Sequence, residues 1–397
     1  MTLDTLRSLG RPRITLVAHR VDDSGGMERV HAEMIRRLLD RYDFTVISSQ
    51  LAPDLRGRVK WRQVPLPGSP APLRVLLFYV LGAIRVWRTR CEIVHVCGAV
   101  IPNHADLASV HYCHAGYVAS QNRLAPSGAP ILRRLNTTVH RLLALVGERW
   151  SYRPSRLRLL VAVSRVVRDE LNSAYPGLPA RVVANGVDLT RFSPSAAERR
   201  ALRSQVSVPD DACVTLFVGG DWDRKGLGLA MEALALARTS HPSIELWIVG
   251  SGDERRYRAV ARRAGVAKAI RFFGPSAHVE RYYRGADLFL CCSTYEPFSL
   301  ALLEAAACGL PLVTTRVGIS VELVSDDGHN GGGLFVDPSP SSIACALGTL
   351  AGSPLLRAQL GAVARERATG FSWDRLADEF NLIYQDMLVP PARREPS

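Results

Sequence analysis

Apolar runs rich in β-branched residues alternate with segments of helical periodicity along most of the chain. The first run, Arg13–Ala18, is followed by Gly25, Gly26 and an amphipathic segment, and the second half repeats this order with Cys213–Val218, a glycine pair and Leu227–Ala237. Further strands are predicted at Phe44–Ser48, Glu92–Val96, Leu159–Val163, Ile244–Val249, Ala269–Phe273, Leu288–Cys292 and Leu312–Thr314. This alternation predicts an α/β protein with two doubly wound, Rossmann-like domains that face a central cleft.

Polar, proline-containing stretches indicate where the domains end. The predicted segments, in chain order, are an N-terminal domain at 1–190, a linker at 191–210, a C-terminal domain at 211–370, a C-terminal helix at 371–389 and a tail at 390–397. We expect the C-terminal helix to pack back across the cleft and the tail to be disordered. Ligands of doubly wound sheets bind beyond the carboxyl ends of the strands, so the loops there are the expected sites of chemistry.

The charge is divided unequally between the two halves. The chain has 397 residues and a formal net charge of +13, and residues 1–190 carry 27 basic against 14 acidic side chains, which is the whole excess. A basic half beside a neutral half favours an anionic partner: a membrane surface, a nucleic acid or a phosphorylated ligand. A nucleic acid is disfavoured, because the arginines lie on apolar helical segments without the interleaved aromatic residues of such proteins.

Two segments of the basic half combine apolar and basic residues. Leu73–Arg90 joins an apolar centre to flanking arginines, and Ile131–Trp150 predicts an amphipathic helix that is also basic. Such a helix can lie on an anionic leaflet, although a helix that packs on a core is the commoner case. No apolar run approaches the roughly 18 residues of a membrane span. Because the N-terminus lacks a signal-peptide core and the eight cysteines form no CxxC pair, we expect a cytoplasmic protein, with contact at the inner face of the membrane as the open alternative.

The segment Gly219–Gly226, with the sequence GGDWDRKG, follows a predicted strand and opens a helix. The glycine pair lets the backbone turn tightly, and Arg224 and Lys225 stand where helix N–H groups already favour anions. This predicts a diphosphate site, with a solvated Arg–Lys pair as the alternative. Asp221 and Asp223 form a DxD pattern that can hold a divalent metal, but the adjacent cations already supply the counter-charge. We therefore predict no metal and no cofactor.

Two glutamates flank the start of a second helix. Glu296 precedes it, Ser299 is the candidate N-cap, and Glu304 lies inside it, before a Gly-x-Pro stop. We expect the N–H groups of Phe298, Ser299 and Leu300 to point at a phosphate or a sugar hydroxyl. Glu296 can accept hydrogen bonds from sugar hydroxyls and Glu304 two from a ribose. A surface position is the alternative for Glu304.

These stretches resemble the retaining glycosyltransferases of family 4, which have the GT-B architecture of two Rossmann-like domains. The matching motifs, in order, are Val163-Ser164, Asn185–Asp188, Arg191-Phe192, Arg224–Gly226, Ala286-Asp287, the E-x7-E pair and Phe371–Trp373. The resemblance implies that the first domain binds an acceptor and the second a nucleotide-sugar donor. Many relatives have glycine directly after the first glutamate and again two positions on, where this chain has Pro297 and Ser299. That departure bears on the sugar preference.

The resemblance also implies a role for individual residues. The implied donor-binding residues are Gly25, Gly26, Arg224, Lys225, Phe298, Ser299, Leu300 and Glu304, and the implied catalytic residues are His111 and Glu296. His111 follows a predicted strand that ends at Val110, where family 4 enzymes often carry a histidine, and His114 is the competing candidate. A His-x-x-His metal pair would need a third ligand, and none stands out in the sequence.

The implied activity is that of a retaining hexosyltransferase that uses a UDP- or GDP-linked sugar without a metal. The acceptor would be a glycan, a lipid-linked sugar or a phosphorylated sugar, in cell-envelope or polysaccharide glycoconjugate synthesis. A phosphorylase or an inactive glycan-binding relative of the same fold is the alternative. A dinucleotide-dependent oxidoreductase is disfavoured, because Gly250-Ser-Gly252 lacks the third glycine of a G-x-G-x-x-G motif.

Overall fold

The structure, a computed structural model, describes residues 10–66, 68, 70–121, 131–209, 211–326 and 331–389. The predicted tail at 390–397 lies outside the described residues. The chain divides into two compact units. The first unit comprises Met1–Gly186 and Trp373–Ser397, and the second comprises Val187–Ser372.

Strands and helices alternate through both units. The strands are β1 (Arg13–Val17), β2 (Arg20–Val21), β3 (Asp43–Ser48), β4 (Gln50–Leu51), β5 (Lys60–Gln63), β6 (Ile93–Cys97), β7 (Ala105–Val110), β8 (Leu157–Ala162), β9 (Ala180–Val182), β10 (Cys213–Val218), β11 (Ile244–Val249), β12 (Ile270–Gly274), β13 (Leu288–Cys291), β14 (Leu312–Thr314) and β15 (Gly333–Phe335). The helices are α1 (Gly26–Leu38), α2 (Ala71–Trp87), α3 (His114–Gln121), α4 (Ile131–Ser151), α5 (Arg165–Ala174), α6 (Ala196–Gln205), α7 (Leu227–Ala237), α8 (Glu254–Arg263), α9 (Glu280–Gly285), α10 (Leu300–Ala307), α11 (Ser320–Leu323), α12 (Pro340–Gly352), α13 (Pro354–Ala368) and α14 (Trp373–Leu388).

Each unit is built on one parallel sheet. The strand order is β5-β3-β1-β6-β7-β8-β9 in the first unit and β12-β11-β10-β13-β14-β15 in the second. The order reverses between β1 and β6 in one sheet and between β10 and β13 in the other, which is the doubly wound topology. The predicted fold class is therefore confirmed, and the two reversals mark where ligands of such sheets bind.

The central strands follow from their apolar sequences. In β10 all residues but the last are buried, as expected of a parallel strand covered by helices on both faces. Sequence reasoning did not predict the edge strands β5, β9 and β15. Strand β5 (Lys60–Gln63) has one partly buried apolar residue, Trp61, and its other three residues are polar and exposed, so it carries no apolar pattern.

The segment at 191–210, predicted to be a linker, contains helix α6 and lies in the second unit. Arg203 of this helix is only 2% exposed, and its guanidinium pairs with Asp287 and donates to the carbonyl oxygen of Gly285 at 2.9 Å. Arg199 pairs with the other oxygen of Asp287 at 2.6 Å. The polar composition that suggested a linker therefore belongs to a helix, and the arginines of that helix anchor it.

Helix α14 belongs to the first unit, although it follows the second in sequence. The Tyr384 hydroxyl lies 2.7 Å from Nδ1 of His95 at the sheet, and the guanidinium of Arg29 lies over the ring of Trp373. The chain therefore leaves the first unit after Gly186 and returns to it at Trp373.

Candidate functional site

Glu296 follows β13 and is buried, and its counter-charges are partly exposed. Its Oε1 accepts hydrogen bonds from Nζ of Lys225 at 2.9 Å and from the Ser293 hydroxyl at 3.0 Å, and it lies 3.0 Å from Nη1 of Arg224. Burial opposes ionisation of Glu296, but Lys225 and Arg224 outweigh it and lower the pKa of the carboxyl below its ordinary value. The second unit thus holds a buried carboxylate between two cations, beside the reversal of its sheet.

The cations reach Glu296 from the loop after β10, on the other side of the reversal. Arg224 donates to the carbonyl oxygen of Tyr295 at 2.7 Å and to Oδ2 of Asp221 at 3.0 Å. Gly219 has φ 137°, and a Cβ there would lie 2.4 Å from Cε of Lys225. A side chain at Gly219 would therefore be strained and would collide with Lys225.

The DxD carboxylates have separate partners. Asp221 pairs with Arg224, whereas Asp223 pairs with Arg256 at 2.9 Å and accepts a hydrogen bond from the Tyr257 hydroxyl at 2.8 Å. The partners of the two DxD carboxylates are therefore Arg224 within the loop and two side chains of helix α8.

Ser299 stands at the N-cap position of α10 but does not cap it. Its backbone is left-handed, with φ 71° and ψ 80°, and its buried Oγ has no hydrogen-bond partner within the described part of the chain. The prediction that Ser299 caps this helix is wrong, because a capping side chain needs an extended backbone. Glycine adopts this conformation without strain, which gives a physical reason for the glycine that many relatives carry here.

The other predicted donor residues of this segment lie on the same loop and helix. Phe298 is buried, and its carbonyl oxygen accepts a hydrogen bond from the Ile319 N–H at 2.8 Å. Leu300 begins α10, and Glu304 lies in the helix's second turn. Oε2 of Glu304 accepts a hydrogen bond from the Tyr283 hydroxyl at 2.9 Å. Burial and the nearby Glu304 raise the pKa of Tyr283 well above its ordinary value, so Tyr283 remains a donor.

In the first unit, the predicted glycine pair forms the start of a helix. Gly25 is the N-cap of α1, with extended φ −149° and ψ 171°, and Gly26 is the first of its 13 residues. A Cβ at Gly25 would lie 2.3 Å from the carboxylate of Glu28, the mobile end of a side chain. The pair thus puts a helix N-terminus beyond the carboxyl end of β1, where anions are favoured.

His111 follows β7 and is buried in the first unit. Its ring centroid lies 5.1 Å from that of His31 on α1, and no described residue forms a hydrogen bond with its Nε2. Burial lowers the pKa of His111 well below the ordinary value, so the imidazole is neutral. Possible ligand atoms of His31, Cys97 and His111 all lie within 4.8 Å of one another, a group that could hold a metal ion. Burial raises the pKa of the Cys97 thiol to about 12.

His114, the competing candidate, begins α3. Its backbone N–H donates to Oε1 of Glu148 at 2.8 Å, and burial lowers the pKa of its ring to about 3. His111 and His114 line the same opening, a cavity of about 430 Å³ within the first unit that His19 and His140 also line. We call it the histidine cavity.

Sequence reasoning missed Ser293, Tyr283, His31 and Cys97. Ser293 stands between a strand end and Glu296, so its position is a local signal that the sequence offered. Cys97 and His111 end or follow neighbouring strands, but His31 comes from a helix, and only the packing brings it to the other two.

Two family models match the chain. One described as Glycosyltransferase Family 4 matches residues 24–191, and one described as Glycosyl transferases group 1 matches residues 212–353. The second range contains the loops with Arg224, Lys225 and Glu296.

Curated relatives match over most of the chain. The D-inositol 3-phosphate glycosyltransferase of Acidothermus cellulolyticus is 30% identical over 406 residues, covering 92% of this chain and 87% of that protein. The protein of the same name from Geodermatophilus obscurus is 31% identical over 403 residues, covering 91% and 85%.

Solved structures share the fold at lower identity. WaaG, a glycosyltransferase involved in lipopolysaccharide biosynthesis, matches with a TM-score of 0.77 and 21% identity over 93% of this chain and 99% of that one. Anabaena Alr3699/HepE in complex with UDP-glucose matches with a TM-score of 0.71 and 18% identity over 95% and 100%. Both likenesses concern the fold.

Proposed function

The chain belongs to the glycosyltransferases of family 4, and we propose that it transfers a hexose from a UDP- or GDP-linked sugar with retention of the anomeric configuration. The acceptor is a glycan, a lipid-linked sugar or a phosphorylated sugar, in cell-envelope or polysaccharide glycoconjugate synthesis. The observation that carries the proposal is the pairing of Arg224 and Lys225 with buried Glu296 beside the reversal of the second sheet.

Arg224 and Lys225 are proposed to hold the donor diphosphate. Glu296 already neutralises part of their charge, which keeps the two side chains together in the absence of a donor. Glu304, fixed through one oxygen by Tyr283, would accept hydrogen bonds from the ribose. The N–H groups at the start of α10, from Phe298 to Leu300, would face the sugar and its phosphate.

In the proposed reaction, the acceptor oxygen forms a bond to the anomeric carbon on the face from which the diphosphate leaves. The bond between that carbon and the phosphate oxygen breaks, and the acceptor's proton passes to the departing diphosphate. Arg224 and Lys225 stabilise the charge that develops on the leaving group. His111, neutral because it is buried, would hydrogen-bond the reacting sugar rather than supply a positive charge.

We propose that this chemistry needs no metal ion. The two cations beside Glu296 supply the positive charge that a metal would otherwise bring to the diphosphate. Asp221 and Asp223, the DxD pair, are engaged with Arg224 and with Arg256 and Tyr257.

The test is turnover of a panel of UDP-, GDP- and ADP-sugars by the full chain in EDTA. We expect one donor to stabilise the protein thermally and to release its nucleoside diphosphate, and Glu296→Gln to lower turnover by ~100-fold. Glu254→Gln, which changes a side chain that is 44% exposed in the same unit, is the matched control. If no nucleotide sugar stabilises the wild type, the diphosphate role of Arg224 and Lys225 fails. Release of a sugar phosphate that depends on orthophosphate would support a phosphorylase instead.

We also propose that the enzyme is cytoplasmic and contacts the inner face of an anionic membrane through its first unit. Helices α2 and α4 expose large apolar side chains, with Trp87 81% and Val146 66% exposed, and both helices carry arginines. None of the described helices has the length and apolarity to cross a bilayer. Sedimentation with vesicles should show binding to phosphatidylglycerol but not to phosphatidylcholine, reduced in Trp87→Gln. Equal binding to both lipids would contradict this contact.

A further inference from the structure

The histidine cavity opens beyond the carboxyl ends of β1, β6 and β7, the ligand-binding edge of the first sheet. Its volume of about 430 Å³ lies in the range of small-molecule pockets. Its side walls are apolar and come from two helices. Helix α2 contributes Val75, Leu76 and Tyr79, and helix α4 contributes Leu143, Ala144 and Val146.

The cavity offers little to an anion. Arg20 is the one lysine or arginine among the described residues that line it, and its Nε already donates to Oδ2 of Asp22 at 3.1 Å. The pKa of each lining histidine is lowered, to about 4 for His19 and about 3 for His114, and burial is the main cause. These imidazoles are therefore neutral at pH 7.

Two carboxyl groups line the cavity as well, those of Glu28 and Glu148. Oε2 of Glu148 accepts hydrogen bonds from the Ala115 N–H at 3.2 Å and the Tyr175 hydroxyl at 2.9 Å. A phosphate monoester in this cavity would lose its water, contact one cation that is already paired, and lie beside acidic groups. Arg74 and Arg141 act on the lining histidines from outside the lining, so they would offset only part of its desolvation.

The walls favour an apolar ligand instead. Leu76 is 51% exposed and Leu143 37%, so both present apolar surface that a ligand could cover. The basic residues of these helices, such as Arg74 and Arg149, do not line the cavity. Outside it, they would suit the anionic surface from which an amphipathic molecule would come.

We infer that the acceptor is a sugar with an alkyl or acyl tail, and that the histidine cavity takes the part of the tail next to the sugar. The inference rests on the proposed glycosyl transfer and chooses one of its acceptor classes. It also sets this chain apart from the relatives named for D-inositol 3-phosphate. The neutral histidines that line the cavity offer hydrogen bonds to sugar hydroxyls, while the helix walls cover the tail.

Calorimetric binding of n-octyl and methyl β-D-glucopyranoside to the full chain tests the inference without a donor. We expect the octyl compound, used below its micelle concentration, to bind at least ~100-fold more tightly, because each buried methylene adds affinity. Ala144→Phe, which fills the cavity, should weaken octyl binding by at least ~10-fold. Leu76→Gln should also weaken octyl binding, and it replaces Ala144→Phe as the test if that variant does not fold. Leu236→Gln, at a 49% exposed position of the second unit, is the control and should leave octyl binding unchanged.

Equal affinity for the two glycosides, or octyl binding that Ala144→Phe and Leu76→Gln both leave unchanged, would overturn the inference. So would transfer to D-inositol 3-phosphate that is more efficient than transfer to every alkyl glycoside tried. The proposed function fails separately. If no nucleotide sugar is turned over while octyl glucoside binds as expected, the cavity takes tails but the transfer proposal is wrong. If a donor is turned over and inositol phosphate is the preferred acceptor, only the tail assignment is wrong.

Discussion

Lowering the pH from 7 to 5 is expected to destabilise the first unit selectively, because it buries histidines in their neutral form. Among the described residues, the histidines in the buried class are His31, His95 and His111, all in this unit. Burial lowers the pKa of His31 from 6.5 to about 4, and that of partly exposed His19 also to about 4. The unfolded chain takes up a proton near pH 6.5, but the folded unit does so only near pH 4. Stability is therefore complete above pH 6.5 and falls as the pH falls toward 4.

The size of the effect follows from those pKa values. Within this window each such histidine costs ~1.4 kcal/mol of unfolding free energy per pH unit. From pH 6.5 to 5 that is ~2 kcal/mol for His31, and less for His19, because water screens the charge of a partly exposed side chain. A loss of more than ~2 kcal/mol is a sizeable part of the usual 5–15 kcal/mol stability of a domain.

Hydrogen exchange followed by mass spectrometry between pH 5 and 7.5 measures both units in one sample. After correction for intrinsic exchange rates, peptides from β6 and β7 should lose protection more steeply with falling pH than peptides from β10 and β11. His31→Gln should reduce the slope of the first unit by ~1.4 kcal/mol per pH unit. His278→Gln, whose side chain is 81% exposed in the second unit, should change neither slope. Equal slopes in the two units, or a slope that both His31→Gln and His19→Gln leave unchanged, would refute the reasoning.

Ser299→Gly should stabilise the second unit by ~1 kcal/mol and raise its Tm by ~2–4 °C, because glycine adopts the left-handed backbone without strain; a lower Tm would contradict this. Asp287→Asn should cost about 3 kcal/mol in urea unfolding, because it leaves buried Arg203 without its counter-charge. Asp374→Asn, which removes an exposed pair with Arg37, should cost less than ~1 kcal/mol. If Asp287→Asn and Asp374→Asn lowered the unfolding free energy equally, the pairing of Asp287 with buried Arg203 would not anchor the helix. EDTA should leave donor turnover unchanged, and a loss restored by one added divalent cation would show that a metal takes part.

The sheets were predictable from the sequence where both faces of a strand are covered. Such strands form continuous apolar runs, and β10, β11 and β14 have the predicted bounds. The edge strands were not predictable in this way, because an edge strand such as β5 is short and polar. Helix α6 was missed for a related reason. Its arginines bind Asp287 and backbone carbonyls, contacts that no local pattern reveals.

In the candidate site, too, local features were predictable from the sequence and features that depend on packing were not. The segment from Glu296 to Glu304 is local, so its spacing and its helix were visible in the sequence. The left-handed backbone of Ser299 was not visible, because serine rarely adopts it and nothing in the side chain indicates it. The grouping of His31 with Cys97 and His111 joins a helix to two strand ends, and it depends on packing over long separations in sequence.

The return of helix α14 to the first unit makes the second unit an insertion within the first. Its two ends lie side by side, since the Val187 N–H donates to the carbonyl oxygen of Phe371 at 2.9 Å. During synthesis, the inserted unit is complete once Ser372 has left the ribosome and can fold at that point. The unit whose strands were made first must wait for the last helix, because Trp373, Phe380 and Tyr384 complete its core. A ribosome that stops before this helix would therefore release a folded second unit attached to an unfinished first one.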